Sequence, residues 1–176
     1  MKIELKRLKQ SDREEMVDLY NAVDRKYISN RIPSPYTLEA ADRWLKILTE
    51  SDEKESISRA IILNGKIIGN ISVEKKTDIY GRDGEIGYML YKEYSGRGIM
   101  TEAVKQMCEI AFAQLDIIRI TGCVFAANIA SAKVLQNNGF LLEGTMKQAV
   151  TKNNTVYDLN IYGKTLAIPR KQCYNS

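Results

Sequence analysis

The sequence predicts a single α/β domain built on a mixed sheet, and three observations predict it. Hydrophobic spacing switches between strand-like alternation and helical periodicity along the chain, with no repeat and no linker. Asn64-Gly65 stands between two β-branched runs, which is the turn chemistry of a two-residue antiparallel hairpin. A strand, a helix and another strand follow one another from 85 to 125, a unit whose strands pair in parallel. At 176 residues, 44% of them hydrophobic and 27% charged, the chain has the size and composition of one soluble domain.

Each element has its own signal. Ile3, Leu5 and Leu8 begin a short strand. Ser11-Asp12-Arg13-Glu14 reads as a capping box with Ser11 at the N-cap, followed by an apolar face of Met16, Val17, Leu19, Tyr20 and Val23. The stretch 27–36 holds Pro33 and Pro35 and reads as a loop. A second helix starts near Thr37 and should turn Ala41, Trp44, Leu45 and Leu48 inward. Residues 58–63 and 66–74 are the arms of the Asn64-Gly65 hairpin, and 85–91 is a further strand. A helix over 99–115 buries Met100, Ala103, Val104, Met107, Ala111 and Leu115. Residues 117–125 form a strand, and 130–138 a helix ended by Gly139, where a left-handed cap is wanted. Two long strands, 140–151 and 155–166, join at Lys152-Asn153-Asn154. The domain is thus expected over 1–168, with a polar tail at 169–176.

Composition excludes several chemistries. There is no histidine, so neither Ser-His-Asp nor Cys-His catalysis nor a His-based zinc site is available. Any acid or base must be Glu, Asp, Tyr, Lys, Ser, Cys or a terminal group. The three cysteines, at 108, 123 and 173, lack metal-ligand spacing. Cys108 and Cys123 read as small core residues and Cys173 as a free thiol, which suits a reducing cytosol and a cytoplasmic protein without a metal. No run approaches the roughly 18 apolar residues of a membrane span, and the start Met1-Lys2-Ile3-Glu4 shows no secretory signal, so no membrane partner is expected. A net charge of +4 fits an anionic ligand but is too small and dispersed to indicate nucleic acid.

The chemistry concentrates between strand and helix. Glu85-Ile86-Gly87-Tyr88-Met89-Leu90 runs through Tyr91 into Ser95-Gly96-Arg97-Gly98 and then a helix. Glycines at 96 and 98 allow a tight turn and close approach of a ligand. The amides of 96 to 101 are then orphan donors at the positive end of a helix, suited to a phosphate or pyrophosphate, with Arg97 adding charge. By itself a Gly-x-Gly is also compatible with a plain tight turn or a general phosphate cradle. The dinucleotide fingerprint is not met, because Thr101 stands where its third glycine belongs, and no Gly-Lys-Ser/Thr of a Walker loop follows.

Four ordered motifs, E-I-G-Y-M-L, Y-S-G-R-G-I-M-T-E-A, N-I-A-S-A-K-V-L-Q-N-N-G-F and L-E-G-T-M-K-Q-A, span nearly the whole chain. Together they resemble the GNAT N-acetyltransferase superfamily, and within it the Rim-type branch that acetylates ribosomal-protein N-termini. The resemblance implies the GNAT fold: a mostly antiparallel central sheet, one splayed parallel strand pair and flanking helices. It implies acetyl-CoA as cosubstrate. The family's pyrophosphate loop falls on Glu93 to Gly98, with Glu93 where the family carries Gln or Arg. Gly96, Arg97, Gly98, Ile99, Met100 and Thr101 then hold the pyrophosphate through backbone amides. The family's splayed strand falls on Met89, Leu90 and Tyr91, where a bulge would free backbone groups for the pantetheine arm and the acetyl carbonyl.

The resemblance also frames the acid and the base. Most members carry a tyrosine acid near the end of the last helix, and that position is Leu135 here. The Rim-type branch instead has a serine three residues after an asparagine, matched by Ser131 and Asn128, which implies cofactor contacts for both and an acid role for Ser131. Both are also ordinary helix-start residues. The branch's glutamate after K-Q-A is Val150 here, so Glu85, acting through water, is the candidate base. Asp158 resembles a recurrent structural or substrate-orienting aspartate. Tyr27, Tyr36 and Tyr162 are either cleft or core residues, and Lys105 and Lys133 either phosphate ligands or solvated. The implied activity is direct acetyl transfer to a primary amine, on a peptide N-terminus or a small molecule, by a chain that could form a homodimer through its last strands. The substitutions at 135 and 150 leave a second reading, a non-catalytic acyl-CoA-binding module.

Overall fold

The structure, a computed structural model, describes residues 2–167; the expected tail and Cys173 lie outside the described residues. Among the described residues, seven strands form one sheet in the order β1-β2-β3-β4-β5-β7-β6. These are β1 (Glu4–Lys6), β2 (Ser56–Leu63), β3 (Lys66–Lys75), β4 (Asp83–Leu90), β5 (Arg119–Phe125), β6 (Leu141–Lys152) and β7 (Thr155–Thr165). Four α-helices accompany them among the described residues: α1 (Arg13–Ala22), α2 (Leu38–Glu50), α3 (Ile99–Gln114) and α4 (Ile129–Asn137). Every neighbouring pair is antiparallel except β4 with β5. The expected mixed sheet with one parallel pair is therefore present.

Local chemistry explains the turns. Asn64 and Gly65 take φ of 51° and 80°, and Asn153 and Asn154 take 48° and 60°. Positive φ at both central residues is the two-residue turn that matches strand twist, and Asn and Gly tolerate it best. Thr37 caps α2 by accepting the Ala40 amide at 3.2 Å, and Gly139 ends α4 with φ 78°. The cap expected at Ser11 is not there. A short 3-10 turn over residues 10–12 precedes α1, and Asp12 accepts the Lys9 amide at 2.8 Å. Asp12, not Ser11, therefore stands at the N-cap of α1, where its side chain reaches back to the turn instead of to the helix amides and its negative charge gains from the helix dipole.

Two cores lie on opposite faces of the sheet. One joins Ile57, Ile61, Ile71, Val73 and Ile86 to α3 and to Ala132 and Leu135 of α4. The other packs Met16, Leu19 and Tyr20 of α1 and Ala41, Leu45 and Leu48 of α2 onto Ala60 and Ile67. Trp44, expected inside, is at the surface: the α2 stripe is complete with Ala41, Leu45 and Leu48, and position 44 falls to its side. Cys108 is buried as expected, whereas Cys123 is exposed. It alternates with buried Gly122 and Val124 on β5 and so faces the side of the sheet away from α3 and α4.

The parallel pair holds together for only three residue pairs, Asp83 with Arg119, Gly84 with Ile120 and Glu85 with Thr121. Beyond them the strands diverge. Their junction is pinned by a polar cluster: Thr121 Oγ1 donates to Asp83 at 2.8 Å, Lys76 Nζ lies 2.6 Å from the same carboxylate, and Arg119 reaches both Asp83 and Glu143.

Candidate active site

The divergence of β4 and β5 makes a wedge-shaped gap. On its other side β4 remains paired to β3 without a register shift, from Lys75 opposite Gly84 to Gly69 opposite Leu90. The bulge expected at Met89–Tyr91 is therefore absent. The Tyr91 amide donates to Ile68 O at 3.0 Å, and the Lys76 amide to Asp83 O at 2.8 Å. By ladder alternation the odd-numbered residues of β4 bond to β3, and Ile86, Tyr88 and Leu90 present their backbone groups to the gap. Splaying, not bulging, frees the strand edge. Of the three expected strand contacts, Leu90 presents its backbone there, while Met89 and Tyr91 turn theirs to β3.

At the mouth of the gap the chain makes the glycine turn. Gly96 and Gly98 take φ of 74° and 77°, and a Cβ at either would meet nothing within 4 Å. The left-handed backbone, not crowding, is what demands glycine. Gly98 is the N-cap of α3. The Glu102 amide, donating to Gly98 O at 3.1 Å, opens the helical ladder, so the amides of Ile99, Met100 and Thr101 precede it. The side chains of Ile99 and Met100 are buried in the core, so these residues can serve a ligand only through their backbone. Arg97 is exposed, its guanidinium 5.7 Å from the Tyr94 ring centre. A recess of about 500 Å³ beside the turn is lined by Lys2, Arg97, Gly98, Glu102 and Gln106 among others. Open space, outward amides and cationic side chains fit a pyrophosphate. Lys105 and Lys133 are exposed on α3 and α4.

The start of α4 closes the other side. Asn128 is its N-cap and accepts the Ser131 amide at 3.2 Å. Ser131 Oγ lies 2.7 Å from the Tyr88 hydroxyl, which also lies 3.3 Å from Ser131 O. Burial pushes the Tyr88 phenol up to about 12, against a smaller opposing effect of the Ser131 hydrogen bond. Tyr88 was not singled out in the sequence, although it sits in the strand motif on the same face as Leu90. Leu135, where the family's tyrosine is missing, is fully buried against Gly122, so packing fills that place. Asn138 ties α4 to α3 through Thr101 O at 3.1 Å.

Glu85 does not join this group. It lies three residues before Tyr88 on β4, hence on the opposite face, exposed and opposite Glu74. Toward the end of β5 on that same face, Phe125 packs on Tyr27 and Tyr157, each at 5.3 Å between ring centres. Tyr27 thus borders the open side, whereas Tyr36 and Tyr162 are core. Asp158 is a structural residue: its Oδ1 accepts the amide of Gln148, whose φ is 52° in a bulge of β6, and Lys147 pairs with its Oδ2. That amide, first, and Lys147 then hold the Asp158 carboxyl below the usual range. Val150 follows the bulge and pairs with Tyr157.

Known proteins share this fold. Residues 2–141 match the acetyltransferase (GNAT) domain. YdaF of Bacillus subtilis is 33% identical over 106 residues, a match spanning 60% of this chain and 57% of that protein. A ribosomal-protein alanine acetyltransferase of Vibrio fischeri superposes with a TM-score of 0.79 at 27% identity, over 93% of this chain and 92% of that one. RimL, a ribosomal alpha-N-protein acetyltransferase solved with coenzyme A, has a TM-score of 0.82 at 22% identity, covering 93% of this chain and 94% of its own, a likeness of fold. Matched by the family model over residues 2–141, and carrying a glycine turn that opens α3 beside a parallel strand pair, the chain belongs to the GNAT acetyltransferase family.

Proposed function

We propose that the protein is an acetyl-CoA-dependent N-acetyltransferase whose acceptor is a primary amine, with a protein or peptide N-terminus as the preferred class. The single observation that carries the reading is the gap between β4 and β5 ending at the Gly96–Gly98 turn. Orphan amides for a pyrophosphate and a free strand edge for an amide-bearing arm occur there in line, and coenzyme A carries both groups. When bound, acetyl-CoA supplies a thioester carbonyl for the amine to attack and a thiolate to leave. The backbone amides of 96–101 would hold the phosphates with Arg97, and the Leu90 edge would align the arm. A backbone amide of the same edge aimed at the carbonyl oxygen would stabilise the charge that develops on it. Asn128 holds the first turn of α4 in place, and Ser131 is the donor for the departing sulfur.

Glu85 is the proposed base. Its exposure on the opposite face places it on the side where Phe125, Tyr27 and Tyr157 border an approach for the acceptor. An amine reaching the gap from that side meets the carboxylate through water before it meets the carbonyl. The peptide acceptor is supported by relatives named for acting on ribosomal proteins. Cytoplasmic placement, where acetyl-CoA is made and Cys108 stays reduced, belongs to the same proposal.

The test is a thiol-release assay with N-terminal peptides, polyamines and amino acids as acceptors. Turnover on one amine class is the expected outcome. Tight acetyl-CoA binding with no turnover on any amine would instead make the chain an acyl-CoA-binding module, as Leu135 and Val150 at the family's acid and base positions would allow. Stabilisation by ATP or NAD equal to that by coenzyme A would reduce the turn to a general phosphate cradle.

A further inference from the structure

Tyr88 bridges the gap. It stands on β4, its hydroxyl 2.7 Å from Ser131 Oγ at the start of α4, and the two residues are 43 positions apart in sequence. We infer that Tyr88 is a positioning residue of the acetyl-transfer site, donating its phenolic proton to Ser131 Oγ so that Ser131's own proton is directed into the open part of the gap. The inference rests on the proposed transfer reaction and deepens it.

Three features support this direction of donation. A phenol is far more acidic than an aliphatic hydroxyl and is the stronger donor of the pair. Burial of its ring raises the Tyr88 phenol so that it keeps its proton through the neutral range, and Cys108, which also acts on it, is held neutral by burial with its thiol pushed up to about 11. The phenol has one proton for two acceptors, Ser131 O at 3.3 Å and Ser131 Oγ at 2.7 Å, and the shorter contact takes it. Ser131 is thereby held at two points, its amide by Asn128 Oδ1 and its hydroxyl by Tyr88. A serine whose hydroxyl rotor is set by a fixed donor has its proton oriented before the thiolate departs, and oriented groups need no reorganisation during the reaction. Leu135 occupies the family tyrosine's position in the sequence and is packed against Gly122, whereas Tyr88 reaches Ser131 from β4.

The test uses Tyr88→Phe, which keeps the ring, Ser131→Ala, and the double variant, each measured for kcat, KM and acetyl-CoA affinity. Tyr88→Phe should lower kcat by roughly tenfold or more with KM and cofactor affinity unchanged. The double variant should be no slower than Ser131→Ala alone, because the phenol acts only through that hydroxyl. Wild-type kcat in Tyr88→Phe, or a double variant that loses the product of the two single losses, would overturn the role. A wild-type protein that binds acetyl-CoA and acetylates no amine would remove the transfer reading itself, and this inference with it. A wild-type that turns over beside additive variants removes only the role of Tyr88.

Discussion

At Gly96 and Gly98 the backbone needs φ near +75° in open space. A β-branched residue is a genuine outlier there, so Gly96→Val or Gly98→Val should reshape the turn while leaving the packed core untouched. Calorimetry should find acetyl-CoA affinity reduced about tenfold or more, a loss of about 1.4 kcal/mol, beside an unchanged circular dichroism spectrum. Unchanged affinity in both would count against the turn as cofactor site. At Gly122 the demand is different. A Cβ would sit 2.5 Å from Leu135 Cδ1, so Gly122→Ala should destabilise by about 1–3 kcal/mol and lower the melting temperature. Asn128→Ala should cost about 1 kcal/mol for the lost cap and also slow turnover, since Ser131 loses one of its two anchors. Gly96, Gly98 and Asn128 were legible as turn and cap residues because such demands are local. That Leu135 is the reason for Gly122, and Tyr88 the partner of Ser131, was not legible, since neither pair is close in sequence.

Elements meet through charge as well as packing. Arg59 on β2 makes a two-pronged pair with Glu53, at 2.6 and 2.9 Å, just after α2, and Arg7 lies 3.5 Å from the same carboxylate. The Arg59 hydrogen bonds, outweighing partial burial, hold the Glu53 carboxyl below its ordinary range. A group whose folded value is depressed adds stability above its unfolded value, about 4.3 for glutamate, and loses it as pH falls through the folded value. Glu53→Gln should therefore lower the melting temperature at pH 7 and flatten its decline between about pH 5 and 3. A decline as steep as that of the wild type would show that other carboxylates carry the acid sensitivity. The succession of elements along the chain and both hairpins followed from periodicity and turn chemistry, and boundaries moved by only a residue or two. The cap at Ser11, the inward Trp44 and the bulge at Met89–Tyr91 did not follow. In each, a competing arrangement wins: the Asp12 carboxylate, an α2 stripe already complete, and a strand freed by its neighbour's departure.

Across the whole molecule the sheet ends at β6, a twelve-residue edge strand with Leu141, Leu142 and Met146 exposed. Such an edge invites pairing with another strand. Sedimentation should show a dimer that Met146→Lys dissociates, and a monomer at micromolar concentration would exclude pairing through this edge. Read by itself, the sequence determined the α/β class, the parallel unit and the glycine turn, because hydrophobic period and positive φ are properties of short segments. Asn128 and Ser131 were reached through their match to the family's motif, because as a local signal they read equally as an ordinary helix cap. Only the tertiary structure decided that β4 and β5 part after Glu85 and Thr121, that Glu85 and Tyr88 face opposite sides of the sheet, and that Tyr88 meets Ser131. Those contacts join elements separated by tens of residues, and what brings them together is the sum of all the packing between.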